Sequence, residues 1–257
     1  MAILFDDIVF GPLKSRRFGT SLGINLLPIT NKVCNFNCIY CECGWTDLKS
    51  AEVTYLDTEK ILEAIEQRFS KIASEKMPLD CITFAGNGEP TMHPKFAEII
   101  DAVLILRDKY LPGIKVAVLS NSALLGNTKV FNALKKVDLR VMKLDAGSNN
   151  LFTKINKPLS SKNIEWYVEK LKEFKGNLII QTIFLKGTYN NEYIDNTGDE
   201  EVKQWIKLLK EINPEQVMIY TIDRETPAKQ LEIIPVEKLN AICEKVNAAG
   251  IKAKVYS

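Results

Sequence analysis

Along this chain a short β-rich run gives way to a stretch of helical period, and the change repeats six times. Such alternation leaves few folds open, because strands joined through a helix lie parallel and cross over right-handedly. The strand-like runs are residues 21–27, 81–85, 115–120, 139–144, 177–184 and 216–221. Helices are expected over 56–72, from Pro94 through Leu106, and over 128–136, 163–174, 199–212 and 236–248. The first shows the pattern plainly: Ile61, Leu62, Ile65 and Phe69 share a face, and Asp57 or Thr58 supplies the cap. Six units fall short of the eight in a closed barrel. The expected architecture is α/β, a partial (β/α)6 TIM-like barrel with a parallel sheet; an open doubly wound sheet also fits. Both place functional residues beyond the C-terminal ends of the strands.

Outside the repeat, residues 5–20 carry Gly11-Pro12, the basic cluster Lys14, Arg16 and Arg17, and Gly19, and read as loop or edge structure. Residues 186–199 read as the least structured internal stretch, and 253–255 as a last short strand. No linker or low-complexity segment interrupts the pattern. Residues 1–257 therefore read as one domain, an N-terminal extension over 1–20 and the barrel over 21–255.

An apolar fraction of 46% and a charged fraction of 26% are those of an ordinary globular protein. The net charge of +2 neither demands nor excludes nucleic acid. Asp6 and Asp7 stand where a signal peptide has its basic region, and no apolar stretch approaches the length of a membrane span. The expected compartment is the cytoplasm, with no membrane partner. Thiols stay reduced there, so the 6 Cys argue for metal or catalysis before disulfides.

Polar and glycine-rich segments fall just after the strands, as the topology requires. After the first come Cys34, Cys38 and Cys41, at spacing C-x3-C-x2-C. Thiolates this close share one common purpose, a soft metal centre, and three of them would leave one iron of a cubane open for chemistry. After the second strand comes Gly86-Asn87-Gly88-Glu89-Pro90-Thr91, and after the third Ser120-Asn121-Ser122. The fourth ends in Lys143-Leu144-Asp145-Ala146-Gly147, Gln181 lies within the fifth, and Asp223-Arg224 follows the sixth. Together they suggest a pocket for a zwitterionic, ribose-bearing molecule beside a metal cluster. Simpler roles stand beside these. The cysteines could form a zinc knuckle with Cys43, or Cys43 could complete a cluster. Cys81 and Cys243 read as buried small hydrophobes, and His93 as structural. Lys14, Arg16 and Arg17 could form a solvated basic loop or bind an anionic substrate. Arg224 could contact substrate or pair with Asp223, Glu225 or another loop acid.

The cysteine loop, with Tyr40 before its last cysteine, resembles that of the radical S-adenosylmethionine (SAM) superfamily. Residues 15–25 (SRRFGTSLGIN), 86–91 (GNGEPT) and 143–147 (KLDAG) further resemble a bacterial branch of Fe–S oxidoreductases related to wyosine tRNA synthases. The resemblance implies a [4Fe-4S] cluster on Cys34, Cys38 and Cys41, and SAM on its open iron. Reductive cleavage of SAM to a 5′-deoxyadenosyl radical would abstract hydrogen from the substrate. Gly88 and Glu89 would contact the SAM amino group within the Asn87-Gly88-Glu89 segment. Ser120 or Asn121, with Lys143, would serve its carboxylate or ribose, with Asp145 nearby, Tyr40 at adenine and Gln181 near the methionyl or ribose part. Asn87 replaces a glycine of the usual Gly-Gly-Glu, which Asn tolerates if a left-handed residue is required. Lys143 stands where several relatives have Ser. Arg16, Arg17 and Arg224 are the candidate substrate contacts. A reductant such as flavodoxin or ferredoxin would supply the electron. With no second cysteine cluster and no appended domain, the expected substrate is a macromolecule covering the lateral opening. RNA stands first; a peptide or protein, as for a peptide modifier or glycyl-radical activase, is the alternative. A non-catalytic Fe–S or zinc protein is the third reading.

Overall fold

Hydrogen bonding in the computed structural model, which describes residues 3–46 and 53–256, gathers the strands into one curled sheet. Val9–Ser15 (β1) pairs antiparallel with Gly19–Ile24 (β2). From β2 the pairing turns parallel, through Cys81–Phe84 (β3), Lys115–Ser120 (β4), Leu139–Lys143 (β5) and Ile179–Phe184 (β6). Gln216–Thr221 (β9) then pairs with β6, and Ala253–Val255 (β11) closes the row, giving an eight-stranded half-barrel in the order β1-β2-β3-β4-β5-β6-β9-β11. Strands buried on both faces read as continuous apolar runs rather than alternations. Accordingly every residue of β3 and β6 is buried.

The helices line the outer face: Thr58–Ser74 (α1), Phe96–Tyr110 (α2), Thr128–Lys136 (α3), Asn149–Asn156 (α4), Ile164–Lys172 (α5), Asp199–Ile212 (α6) and Val236–Ala248 (α7). Several of their starts are set by side-chain caps that satisfy the first backbone N–H groups. Asp57 accepts from Glu59 and Lys60, Asn127 from Lys129 and Val130, and Asn163 from Trp166. Two expectations need correction. Pro94 does not open α2; Pro90–Met92 forms a separate 3-10 turn and α2 begins at Phe96. Residues 186–199 are not a loose loop. Lys186–Tyr189 (β7) and Glu192–Asp195 (β8) form a hairpin turning on Asn190 and Asn191, whose φ values are 52° and 62°. Gln230–Glu232 (β10) adds to its other edge.

Side-chain alternation divides the lumen into layers. Val141, Ile179 and Met218 form a floor, closed by Phe18 from the β1–β2 turn with Leu119, Leu139 and Tyr256. Two residues further along the same strands stand Lys143, Gln181 and Tyr220, which face a cavity. Past β5 the backbone of Gly147 touches α6: a Cβ there would lie 2.3 Å from Trp205 N and 2.6 Å from Glu201 O. Gly147→Ala is expected to cost about 2 kcal/mol, within the overpacking range, read as a lower urea midpoint. An unchanged midpoint would mean that α6 shifts away without penalty.

Candidate metal centre and cofactor pocket

The cysteine loop is built between two fixed walls. On one side Val33 forms a parallel bridge with Gly88: Val33 N donates to Asn87 O at 2.9 Å, and Glu89 N to Val33 O at 3.0 Å. Gly88 has φ +138°, and a Cβ would fall 1.8 Å from Val33 O, so only glycine permits this approach. On the other side the loop docks on the end of α4, where Asn37 N donates to Asn156 O and Ile39 N to Ile155 O.

Each motif cysteine has its own side-chain donor. Asn121 Nδ2 lies 3.6 Å from Cys34 Sγ, Asn156 Nδ2 lies 3.6 Å from Cys38 Sγ, and Lys32 hydrogen-bonds Cys41. No disulfide ties any of the six cysteines. Burial pushes the Cys34 thiol up to about 12 and raises that of Cys38 as well. Cys41 differs: a hydrogen bond from Cys43, helped by Lys32, lowers it to about 5 despite burial. Cys43 itself, raised by the same contact and by burial, keeps its proton and lies 3.3 Å from Gly86 O. Among the described residues no three His, Cys, Asp or Glu side chains gather as for a single metal ion. Three thiols with dedicated N–H···S donors fit a multi-iron sulfur centre, whose larger frame spreads its ligands.

Two polar networks flank the loop. In the first, Glu89 is 3% exposed and its Oε1 accepts from Thr91 N at 3.2 Å, Thr91 Oγ1 at 2.5 Å and Ser120 Oγ at 2.8 Å. Its Oε2 accepts from Asn121 N at 2.7 Å. Burial pushes its carboxyl above the usual range, and these four hydrogen bonds oppose that shift. In the second, Tyr40 OH donates to Asp145 Oδ2 and receives a hydrogen bond from Lys143 Nζ, which lies 3.4 Å from Asp145. Asn156 Nδ2 adds a bond to Asp145 at 2.7 Å while touching Cys38, and Ile183 N one at 3.1 Å. Burial works against the Lys143 ammonium, but Asp145 and then Tyr220 outweigh it and hold it charged.

Lys143, Tyr40, Gln181, Tyr220, Cys41 and Cys43 line a cavity of about 290 Å³. A second, of about 310 Å³, lies over Phe5, Phe10, Ser21, Gly23, Thr83 and Ala85. Arg16, Arg17, Glu42, Leu119, Asp223 and Arg224 stand in the walls of both. Arg16 pairs with Asp223 at 3.4 Å and Arg224 with Glu42 at 3.2 Å. Arg17 donates to Gln181 Oε1 at 2.5 Å and lies over the rings of Tyr220 and Phe18, with no carboxylate in an ion pair among the described residues.

The predicted site residues thus converge, with one reassignment. Both oxygen and nitrogen of the Asn87 side chain are engaged outside the cavities, bonding Phe5 N, Phe5 O and Pro28 O. The positive φ values fall on Gly86 and Gly88, not on Asn87. His93 bonds Leu56 O and packs edge-on to Tyr55, a structural role. Three contributors were not singled out in the sequence: Thr91, Asn156 and Lys32.

The radical SAM superfamily profile matches residues 29–200, two thirds of the chain. The chain belongs to the radical SAM superfamily. Its members are enzymes whose shared cofactors are SAM and an iron–sulfur cluster. Among curated relatives, this radical SAM chain is 34% identical over 225 residues to a UPF0026 protein of Helicobacter pylori, covering 86% of the chain and 68% of the relative. It is 31% identical over 254 residues to a UPF0026 protein of Methanocaldococcus jannaschii, covering 96% and 74%. In fold it is similar to a radical SAM methyltransferase of Sphaerobacter thermophilus (TM-score 0.67, 15% identity, 91% of this chain and 65% of that one). It also matches anSMEcpe with bound AdoMet and a peptide (TM-score 0.57, 15%, 91% and 63%). Archaeal TYW1 gives a TM-score of 0.51 at 16% identity, covering 91% and 74%. The chain spans slightly less than two thirds of the first two of these structures. No helix among the described residues is long and apolar enough to cross a membrane.

Proposed function

We propose that Cys34, Cys38 and Cys41 hold a [4Fe-4S] cluster and that the chain reductively cleaves SAM beside it. The observation that carries this reading is the convergence of three unpaired thiols, each with its own N–H donor, on the Glu89 and Lys143–Asp145 networks. Cluster and SAM, when bound, supply an electron and a 5′-deoxyadenosyl radical for hydrogen abstraction. The residues then bind and orient. A carboxylate offers about four acceptor sites; among the described contacts Glu89 Oε1 takes three bonds and Oε2 one, so Oε2 retains capacity for the SAM ammonium, beside the Gly88 carbonyl. Lys143, fixed by Tyr40 and Asp145, presents a cation to the carboxylate or ribose, with Ser120, Asn121 and Gln181 around it. The Tyr40 ring offers a face to adenine. The electron would come from a donor such as flavodoxin or ferredoxin, and the cytoplasm is the proposed compartment.

Anaerobic reconstitution followed by dithionite reduction should yield 5′-deoxyadenosine from SAM. A cluster-replete sample that forms none would sink the enzyme reading. For the substrate we favour RNA, because Arg17 faces the junction of the two cavities without a carboxylate partner among the described residues. Binding of tRNA should then weaken steeply with salt. A peptide is the second reading, favoured by the likeness to a fold seen with peptide bound; it predicts tRNA binding no tighter than that of an unrelated protein of equal charge.

A further inference from the structure

Lys32 lies two residues before the first motif cysteine, in a stretch without regular structure. It is 5% exposed. Lysine is almost never so buried unless paired, because an ammonium stripped of water needs an opposite charge. Among the described residues no carboxylate forms an ion pair with Lys32. Its Nζ donates to Gly44 O at 2.9 Å, and its other partner is Cys41. Cys34 and Cys38 are the further groups whose charge it feels. Among the described residues, the groups placed to balance this ammonium are therefore the sulfurs. The other side-chain donors to those sulfurs, the amides of Asn121 and Asn156 and the Cys43 thiol, are neutral.

We infer that Lys32 is a positioning residue that places a fixed, buried positive charge beside the iron–sulfur centre and so raises its reduction potential. The inference rests on the proposal that Cys34, Cys38 and Cys41 bind that centre. The step concerned is the addition of one electron from an external low-potential donor; no bond forms and no proton moves. Added negative charge is stabilised by a nearby cation, and least screened where water is excluded. Hydrogen bonds and charge around cluster sulfurs are recognised levers on potential. Among the other described cations, Arg16 and Arg224 are exposed and paired, and Lys143, whose charge also reaches Cys38, is paired with Asp145. Lys32 also clamps the Cys41–Gly44 turn, so charge and shape must be tested apart.

Wild type, Lys32→Gln, Lys32→Met and Lys32→Arg are reconstituted anaerobically, assayed for iron and sulfide, and titrated with dithionite under electron paramagnetic resonance. Lys32→Gln keeps a donor without the charge, Lys32→Met keeps neither, and Lys32→Arg keeps both. At a fixed potential, Lys32→Gln and Lys32→Met are expected to show an about tenfold lower ratio of reduced to oxidised cluster, which for one electron is about 59 mV. Lys32→Arg should stay near wild type. Wild-type potentials in the neutral variants, or an equal shift in Lys32→Arg, overturn the proposal. Should the neutral variants fail to load iron while Lys32→Arg loads, the counter-charge is supported at assembly. Failure of all three overturns it in favour of packing. Absence of any cluster in wild type would instead strike the underlying assignment, and it appears before any variant is compared.

Discussion

Cys38→Ala is expected to fold, to bind SAM weakly or not at all, and to form no measurable 5′-deoxyadenosine. Cys38 is buried, and its sulfur is held between the tip of the loop and Asn156. Alanine removes the ligand while the backbone bonds from Asn37 and Ile39 to the end of α4 remain. Stability should fall by about 1–2 kcal/mol, as for loss of a small buried group, which leaves the half-barrel folded. Iron and sulfide after reconstitution should fall severalfold, because a cubane deprived of one of three protein ligands has a second exposed iron. Cys81→Ala is the matched control: it also empties a buried thiol site but should retain full iron. Full iron in Cys38→Ala, or equal loss in the two variants, would refute the assignment of the loop.

The second large effect concerns the pair at the end of β5. Asp145→Asn is expected to cost about 3–5 kcal/mol, the range for breaking a buried ion pair at one end. The Lys143 ammonium, on a side chain only 16% exposed, is then left without its counter-charge, while the amide oxygen that replaces the carboxylate can still accept from Ile183 N. Lys143→Met should cost less. Asp145 keeps Tyr40 OH, Asn156 Nδ2 and Ile183 N as donors, so its carboxylate stays satisfied. In the double variant the two losses should not add, since neither charge remains to be stranded. Urea midpoints of the four proteins measure this directly. Equal costs for the two single variants, or simple additivity, would mean that Lys143 reaches water more freely than its place in the lumen implies.

Much of this molecule is legible in its sequence because strand, helix and cap carry local signatures. Residues 128–136, 199–212 and 236–248 form the helices expected there, and the strand-end rule alone gathers Cys34, Glu89, Lys143 and Asp145 into one region. What escapes is short or non-local. The α4 helix has only eight residues, wedged between the β5 loop and α5; its signal, Ser148 as cap with Leu151, Phe152 and Ile155 at helical spacing, was available. Missing that helix means missing Asn156, which links Cys38 to Asp145. The β7–β8 hairpin reads as loop because of its asparagines and glycine. Yet paired asparagines between β-rich dipeptides are what a turn with two left-handed residues demands. Lys32 gives no pattern at all: one lysine beside a motif is ordinarily a solvated charge, and only burial distinguishes it. Asn87 is misread for a related reason, since its partner Phe5 is 82 residues away.

That last contact bears on how the site could be transplanted or trimmed. Phe5 exchanges a bond in each direction with the Asn87 side chain, and Asn25 grips Asn87 N from behind. The segment presenting Gly88 and Glu89 is therefore shaped by the chain's opening residues as much as by its own glycines. Grafting residues 86–91 alone into another half-barrel would carry the letters without the mould. Deleting residues 1–8 from this protein should loosen the same segment while leaving every strand of the parallel sheet in place.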